Sequence, residues 1–592
     1  MDKNNLDNLR HSCAHLLANA VKQLFPGALN AIGPAIENGF YQDFDMGKWI
    51  ISETDFPKIE AKMKEILPTW QKFLFKEVTL EEAKKLFKKN KYKVEMATEF
   101  SKQGKKLHTN DPGDFLDLCK MGHVENPSKE LKNFKLLSVA GAYWRGSEKN
   151  KMLTRIYGTV FPTKEALDNY LWQQKEAKKR DHKKLGKDLG LFAFSDLVGK
   201  GLPMLTAKGT TLKRILERFI VDEEIRRDYQ HVSTPPIAKV DLYRTSGHYP
   251  YYKETMYPPM IVDDEELILR PMTCPHHFAL FKTQPHSYHE MPIRFAEISP
   301  QFRYEKSGEL TGLIRVRTFL LSDAHIITPK DKAEEEINKV LDLISFVNKA
   351  LGLKAGVDFR FRLSLGLRTD TKKYYKDDKM WDYAEEILRK VLKNQTVPYY
   401  EAENEAAFYG PKIDVQMKNV NGKEDTAFTV QYDFVMPKRF ELKFINKEGK
   451  EEEPVVIHRA SLGAFERTMA FLIEHYGGAF PLWLSPVQVA ILPISEKFLD
   501  PAQKVKEELE KNNIRVELNA DNKSLGGKIR ESTLQKVPFM IIIGEKEMQS
   551  SVETRHALSQ MITIRTREGK DLGMMEVNKF INQLKSQIEN FS

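Results

Sequence analysis

Polar and apolar positions repeat at helical spacing in two highly charged stretches of the N-terminal third. Residues 61–93 are rich in Lys and Glu with apolar residues every three or four positions, which predicts solvated helices. Residues 163–187 repeat this pattern, predicting one helix that acts as a linker and ends near Gly190. The glycines and proline of 192–204 then indicate a connecting loop.

From about residue 205 to 484, amphipathic helical patterns alternate with short β-rich runs. The clearest runs are 266–270, 293–298, 315–321, 359–365 and 426–434. Few of these runs are joined through a single helix, so a mostly antiparallel sheet is favoured over a doubly wound one. Residues 306–309 are expected to form the turn of a hairpin.

The pattern changes near residues 481–486, where prolines interrupt it. Beyond them strands and helices alternate as strand, helix, strand, helix, strand: 488–492, 500–512, 515–518, 525–535 and 539–544. This order predicts a small parallel or mixed α/β domain. The whole chain is therefore expected to be an α+β multidomain protein.

Composition narrows the class of protein. With 592 residues, 41% hydrophobic and 30% charged, the chain is long enough for about three or four globular domains and is not mainly disordered. It contains neither an apolar run long enough to span a membrane nor the apolar core of a signal peptide, and its three cysteines are scattered. We therefore expect a cytoplasmic protein. The net charge of +9 permits a polyanionic partner without requiring one.

Histidines and a cysteine form the first candidate site. His11 and His15 share a helix face at a spacing of four, and Cys119 and His123 repeat that spacing near Asp117. Such a set could hold zinc, or it could position and deprotonate a water molecule for ester hydrolysis without metal. The ordinary alternative is a small buried thiol beside surface histidines.

Arginine motifs form the second candidate. Arg303 and Glu305 precede Arg315, and Arg467 follows Gly463 at the start of an apolar helix. Arginine forks suit phosphate, although the simpler interpretation is a surface ion pair for the first motif and a solvated helix arginine for the second. The sequence contains neither a Walker loop nor a Gly-x-Gly-x-x-Gly motif after a strand, so a bound nucleotide requires another architecture.

Together these motifs identify a family resemblance. The ordered set Phe302-Arg-x-Glu, Asp323-Ala-His, Gly410-Pro-Lys and His458-Arg-Ala with Gly463-x-x-Glu-Arg resembles threonyl-tRNA synthetases, which are class II aminoacyl-tRNA synthetases. The segment from Gly141 to Gly158 is similar to the editing domain of that family. The resemblance extends from about residue 9 to 585.

The resemblance implies a domain plan. Residues 1–180 would form an α+β editing domain that ends in the linker helix. Residues 190–484 would form a class II catalytic domain on an antiparallel sheet, and 485–592 an α/β anticodon-binding domain. The small N-terminal ubiquitin-like domain common in the family is not expected here.

The resemblance also implies roles at the ATP site. Arg303 would hold the α-phosphate, Glu305 the adenine amino group and Phe319 the adenine ring. Arg315 and Arg467 would neutralise the β- and γ-phosphates together with Mg²⁺. The remaining expected active-site residues are Asp323, which would contact the substrate amino group, and Tyr409, Lys412 and Gln431.

A zinc ion is implied for amino-acid selection. Cys274, His325 and His458 would hold it, a trio that spacing alone does not select from 15 histidines. Three protein ligands leave room for the amino and hydroxyl groups of threonine. Valine lacks the hydroxyl and would be rejected, whereas serine keeps it and would pass. The first histidine cluster with Asp117 would then hydrolyse seryl-tRNA.

The implied partners are tRNA(Thr), ATP, L-threonine and a second copy of the chain. Pro235 resembles part of the first class II motif, which lies at a dimer interface, and no membrane association is expected. The candidates for contact with the anticodon are Asn522, Arg530, Lys536, Glu547 and Arg567.

The sequence departs from the family pattern at several positions. A His replaces the usual Gly at 276, Leu321 replaces a Gln, Ser322 replaces an Asp, and 426–428 differ from the usual Gln-Cys-Gly. An enzyme with altered amino-acid choice is therefore one alternative. Another is a non-catalytic RNA-binding regulator, although the retention of the three phosphate-binding arginines speaks against it.

Overall fold

The computed structural model describes residues 3–119, 122–549, 552–554 and 557–591. The chain divides into two compact units, Met1–Gln174 and Lys175–Ser592. The predicted single helix over 163–187 is wrong in one respect, because two helices, Lys164–Arg180 and His182–Asp188, occupy this stretch. The side chain of Asp181 accepts a hydrogen bond from the amide of Lys183 and so starts the second helix.

The N-terminal unit packs helices against antiparallel sheets. Its first helix, Lys3–Leu24, buries one face against the larger sheet, because apolar residues recur along it at helical spacing. The larger sheet contains the strands Leu29–Asn30, Ala35–Ile36, Gly39–Asp45, Met152–Phe161 and Asn133–Tyr143. The smaller sheet contains Leu74–Val78, Leu107–Asp111 and Asp117–Leu118. The other helices are Phe56–Ile66, Leu80–Leu86, Lys91–Lys102 and Pro127–Glu130.

The second unit is built on an eight-stranded sheet in which antiparallel pairs dominate, as predicted. Its strands in spatial order are Gln230–His231, Ile293–Phe302, Thr318–Thr328, Val455–Ala460, Glu424–Asp433, Lys412–Lys418, Phe359–Leu365 and Tyr399–Glu403. Only the first and last pairs of this sheet are parallel. Its helices are Ala207–Ile225, Val240–Ser246, His248–Tyr251, Cys274–Phe281, Ala333–Ala350, Asp378–Lys393, Met436–Arg439 and Phe465–Tyr476. The sheet and helices bury a large aliphatic and aromatic core.

Smaller strands border this sheet. They are Ile237–Lys239, Met260–Val262 and Glu265–Leu269 in one small sheet, and the pairs Phe192–Ala193 with Met204–Leu205 and Phe444–Ile445 with Glu451–Glu452. The connection between the strands Ile293–Phe302 and Thr318–Thr328 is longer than the tight hairpin turn predicted at 306–309. It is an excursion over 303–317 that contains a short 3₁₀ helix, Ser307–Glu309. Burial of Leu313 holds that excursion against the rest of the unit.

The C-terminal part contains the predicted α/β arrangement. Parallel strands Val516–Leu518, Val489–Pro493 and Phe539–Ile543 are followed by antiparallel strands Met561–Thr566 and Asp571–Glu576. The helices are Leu499–Lys511, Leu525–Leu534, Glu545–Gln549 and Val577–Glu589, and a short hairpin pairs Val552–Thr554 with Ala557–Ser559. Within the described ranges, no helix combines the length and apolar character needed to cross a bilayer.

Candidate active sites

Three side chains that are far apart in the sequence meet on the central sheet of the second unit. Cys274 begins the helix Cys274–Phe281, and His325 and His458 are cross-strand partners on adjacent strands. All three are buried, and their ligand atoms lie within 4.8 Å of one another. Two imidazoles and a thiol from three elements form the predicted constellation.

Neighbouring groups orient the two imidazoles. Nε2 of His458 lies 2.7 Å from a carboxylate oxygen of Asp433, and Nδ1 of His325 lies 2.8 Å from Nδ1 of His277. Each contact occupies one ring nitrogen and leaves the other for an ion. Burial raises the pKa of the Cys274 thiol.

The donor set fits zinc. Zinc takes thiolate sulfur and imidazole nitrogen at about 2.0–2.3 Å in tetrahedral geometry, which puts neighbouring donors roughly 3.5 Å apart. A modest contraction of the observed cluster would therefore satisfy the ion, and binding would release the thiol proton of Cys274.

A cavity of about 220 Å³ gathers all five residues that are predicted to bind ATP. Its lining includes Arg303, Glu305, Arg315, Phe319, Gln431 and Arg467. The guanidinium of Arg303 lies over the ring of Phe319, 5.1 Å from its centroid. The Nη1 of Arg467 donates to the carbonyl of Thr426 at 3.0 Å. Strands, the 303–317 excursion and the helix Phe465–Tyr476 all contribute to this lining.

The electrostatics of this cavity favour an anion. Burial lowers the pKa of Arg303, and the charge of Arg467 lowers it further. Burial also lowers the pKa of Arg467, where the positive charge of Arg315 contributes to the lowering. Since a cationic neighbour destabilises the charged guanidinium of both Arg303 and Arg467, a polyphosphate that enters the cavity would relieve this repulsion.

Tyr409 links the cavity to the Cys-His-His cluster. Its hydroxyl donates to Oε1 of Gln431 at 2.6 Å, and its ring stacks on His458 with centroids 4.9 Å apart. Asp323 is buried nearby, and burial raises its pKa. Lys412 instead pairs with Asp414 at 2.9 Å, so its ammonium is already engaged.

The positions that depart from the family pattern have different environments. Leu321 and Ala427 line the cavity and make part of its wall apolar. The hydroxyl of Ser322 donates to buried Glu224, while Thr426 accepts from Gln416. His276 is buried, and its two ring nitrogens have no hydrogen-bond partner among the described residues.

The N-terminal unit brings together the other predicted cluster. The sulfur of Cys119 lies 3.1, 3.2 and 3.3 Å from Nε2 of His15, His11 and His123. The first helix supplies two of these rings, while Cys119 and His123 follow the strand Asp117–Leu118. A cavity of about 760 Å³ opens onto His11, His15 and Cys119.

Asp117 is the buried anchor of this cluster. One carboxylate oxygen receives Lys93 at 2.7 Å, and the other receives the amide of Asn30 at 2.9 Å and lies 3.3 Å from Nδ1 of His15. Burial alone would raise the pKa of Asp117, but Lys93 and His15 lower it to about 2. The carboxylate is therefore charged at neutral pH and orients His15.

Cys119 and His15 shift the pKa of one another in opposite directions. Burial alone would raise the pKa of Cys119, but His15 and hydrogen bonds from all three imidazoles lower it to about 3. Burial would lower the pKa of His15, but Cys119 and Asp117 raise it to about 9. Burial lowers the pKa of His123 to about 4. These directions favour a thiolate at Cys119, an imidazolium at His15 and a neutral imidazole at His123.

Comparison with known proteins agrees with this geometry. The chain is 47% identical to the threonine–tRNA ligase of Geobacillus sp. (strain WCH70), over 98% of this chain and 89% of that protein. It is 46% identical to the corresponding ligase of Streptococcus gordonii, over 99% of this chain and 89% of that one. The chain belongs to the threonine–tRNA ligase family.

Family sequence models and solved structures agree with this assignment. The tRNA synthetase class II core domain (G, H, P, S and T) matches residues 257–476, the anticodon binding domain 488–587, and the threonyl and alanyl tRNA synthetase second additional domain 111–157. The RNA binding domain of threonyl-tRNA synthetase from Cryptosporidium parvum superposes with a TM-score of 0.63 and 35% identity, covering 69% of this chain and 98% of that one. A putative threonyl-tRNA synthetase from Aeropyrum pernix gives a TM-score of 0.60 and 26% identity, covering 70% and 97%.

The five residues predicted to contact the anticodon differ in their exposure and in their hydrogen bonds. Asn522 and Arg530 are exposed, and Lys536 is half-buried. Glu547 is buried, where it accepts hydrogen bonds from the amide of Gly544 and the hydroxyl of Thr563. Arg567 donates to the carbonyl oxygens of Phe480 and Lys536.

Sequence reasoning missed three supporting residues. Lys93 is one of many lysines in a charged stretch, and nothing in its spacing signals that it is buried. Asp433 and His277 support the zinc candidates from neighbouring elements. Of the three, only His277 could have been noticed in the sequence, since it lies three residues after Cys274.

Proposed function

We propose that this chain ligates L-threonine to tRNA(Thr) at the expense of ATP and hydrolyses seryl-tRNA(Thr) in its N-terminal unit. The observation that carries the proposal is the meeting of Cys274, His325 and His458 beside an arginine-lined cavity. A hydroxyl-selecting ion site next to a polyphosphate site is what the formation of threonyl-adenylate requires.

The arginine cavity acts in the first chemical step. The threonine carboxylate attacks the α-phosphorus of ATP, a new P–O bond forms as the bond from that phosphorus to the bridging oxygen breaks, and pyrophosphate leaves. Mg²⁺ bound with ATP would share in neutralising the phosphate charge. Arg303 holds the α-phosphate, while Arg315 and Arg467 neutralise the departing pyrophosphate. Glu305 receives the adenine amino group and Phe319 stacks on its ring. The arginine charges are in place before reaction, so little reorganisation is needed.

Threonine is held at the Cys-His-His end of the site. Zinc bound by Cys274, His325 and His458 would supply open positions for the amino and hydroxyl groups of the substrate. Asp323 accepts a hydrogen bond from the substrate amino group, and Tyr409 with Gln431 forms the wall between amino acid and ATP. Lys412, the cross-strand partner of Gln431, lies beside this wall and is held by Asp414. A terminal ribose hydroxyl of the tRNA then attacks the acyl carbonyl, and AMP leaves.

The N-terminal cluster supports ester hydrolysis. Water attacks the carbonyl of seryl-tRNA, and the ribose oxygen leaves as a hydroxyl. His11 and His15 face the cavity, where they can position this water and relay its proton to the departing ribose oxygen. His123 supports Cys119 through Nε2, while its Nδ1 lies 3.0 Å from the hydroxyl of Ser12. His11 completes the pocket beside Cys119, and Asp117 holds His15.

The other proposed assignments concern the domains, the anticodon contacts, the oligomeric state and the cellular compartment. We assign 1–180 to editing with the linker helix, 190–484 to catalysis and 485–592 to anticodon binding through Asn522, Arg530, Lys536, Glu547 and Arg567. A homodimer is supported by the exposed apolar side chains of Ile237, Met260, Ile261 and Val262 on the small sheet near Pro235. None of Cys13, Cys119 and Cys274, all within the described residues, forms a disulfide, which is compatible with the cytoplasm.

The two activities can be tested separately in one preparation. Wild-type protein should exchange pyrophosphate into ATP only when threonine is present, and it should deacylate seryl-tRNA(Thr). His11→Ala should slow deacylation on the order of a hundredfold and leave exchange within about twofold. Gln23→Ala, an exposed change on the same helix, is the matched control and should alter neither activity. Wild-type protein without threonine-dependent exchange would refute the proposed ligase reaction.

A further inference from the structure

His182 is a buried histidine outside both proposed sites. It is the first residue of the helix His182–Asp188 and is 2% exposed. Its Nε2 accepts a hydrogen bond from the amide of Leu313 at 3.2 Å, and its Nδ1 lies 2.6 Å from Oε1 of Glu474. Because Nε2 is an acceptor, the proton resides on Nδ1, which donates to the carboxylate.

The first contact reaches the segment that carries Arg315. Leu313 lies two residues before Arg315, within a tight turn whose ends pair through Thr311 and Arg315. Gly312 has a φ of +48°, and a Cβ there would lie 2.0 Å from Nε2 of His182. The backbone therefore wraps closely around the imidazole, and only glycine fits at the closest point.

The second contact reaches the helix that carries Arg467. Glu474 and Arg467 both belong to Phe465–Tyr476, two turns apart. Arg467 also holds the same turn directly, since its Nε donates to the carbonyl of Ile314 at 3.4 Å. The imidazole of His182 thus joins the turn and the helix from outside the ATP cavity, whose lining does not include it.

We propose that His182 is a positioning residue for ATP: it fixes the turn 311–315 against the helix Phe465–Tyr476, so that Arg315 and Arg467 face the same polyphosphate. This inference rests on the phosphate-binding roles proposed above for those two arginines. Without the imidazole acceptor, the buried amide of Leu313 loses its partner, and the turn that presents Arg315 relaxes. Threonine selection at Cys274, His325 and His458 does not depend on this contact.

Two conservative variants separate the two hydrogen bonds. His182→Gln keeps an acceptor oxygen near the position of Nε2 and can still receive the amide of Leu313. His182→Asn keeps a donor near the position of Nδ1 for Glu474 but leaves that amide without an acceptor. His182→Ala removes both contacts, and Lys187→Ala is a matched exposed control on the same helix.

The test is the KM for ATP and the KM for threonine in pyrophosphate exchange, with seryl-tRNA deacylation and the thermal midpoint measured on the same preparations. We expect His182→Ala and His182→Asn to raise the KM for ATP about tenfold, with the KM for threonine unchanged. His182→Gln should restore most of the ATP affinity, and Lys187→Ala should match wild type.

Three outcomes would overturn the inference. The first is an unchanged KM for ATP in His182→Ala. The second is an equal rise in both KM values with a lower thermal midpoint, which would mark a general structural role. The third is rescue by His182→Asn rather than His182→Gln, which would make Glu474 the only relevant contact. Absence of exchange in the wild type is a different result and would refute the proposed ligase reaction itself.

Discussion

Replacing Asp117 with Asn removes one charge from a fully buried ion pair. Lys93 and Asp117 are 3% and 2% exposed, and the charged atoms lie 2.7 Å apart. Removing one partner of such a pair costs about 3–5 kcal/mol, because the remaining charge stays buried without compensation. Asn keeps the shape and an acceptor oxygen, so we expect a loss near the lower limit, about 3 kcal/mol.

Native-state hydrogen exchange measures this loss in the complete chain. Amides in the helix Lys3–Leu24 report the unfolding of the N-terminal unit, and a loss of about 3 kcal/mol makes them exchange about a hundredfold faster. Seryl-tRNA deacylation should fall on the order of a hundredfold, because His15 loses the carboxylate that orients it. Threonine-dependent exchange of pyrophosphate should change less than about twofold.

A double variant separates stability from catalysis. Combining Asp117→Asn with Lys93→Gln removes both charges and keeps a hydrogen bond possible between the two side chains, so stability should return to within about 1 kcal/mol of wild type. Deacylation should remain low, since the double variant still lacks the carboxylate beside His15. If Asp117→Asn leaves hydrogen exchange unchanged, the pair does not carry a buried charge and the reasoning fails.

Three further expectations follow from other groups. Burial raises the pKa of Glu466 to about 7 from 4.5, so the stability that its protonated form contributes is present below pH 4.5 and lost as pH rises through 7. In denaturant titrations, the free energy of unfolding of Glu466→Gln minus that of the wild type should therefore increase by about 3 kcal/mol between pH 4.5 and 8. A difference that stays constant over this range would contradict the burial of Glu466. Asp433→Asn should weaken zinc binding about 10–100-fold in chelator competition, and unchanged binding would remove the supporting role of that carboxylate. Arg467→Ala should raise the KM for ATP at least about tenfold without changing deacylation, since it removes charged hydrogen bonds to phosphate; wild-type ATP kinetics would contradict its assignment.

Much of the fold could be predicted because local patterns and tertiary packing agree. The strand predicted at 359–365 has those bounds in the structure, and the C-terminal alternation is reproduced to within one or two residues. Predictions were less accurate where long-range packing overrides local pattern, as in the 303–317 excursion held by Leu313. The side-chain cap of Asp181 divided a helix that periodicity alone had predicted as continuous.

The candidate sites were predictable in a different way. Spacing identified His11 with His15, because a helix puts residues four apart on one face. No local rule could join Cys274, His325 and His458, since the register of two distant strands brings the histidines opposite one another. The family resemblance supplied that grouping. The supporting role of Lys93 could not be predicted from the sequence, because its burial depends on the fold of the whole N-terminal unit.

The most direct test of the account is the amino-acid dependence of pyrophosphate exchange, with threonine, serine and valine compared at equal concentration. The wild type should use threonine well, serine measurably and valine hardly at all. Cys274→Ala should lose zinc in elemental analysis and should lose the preference for threonine over valine. Equal use of valine by the wild type, or an unchanged preference in Cys274→Ala, would contradict the claim that the three clustered side chains select the hydroxylated substrate.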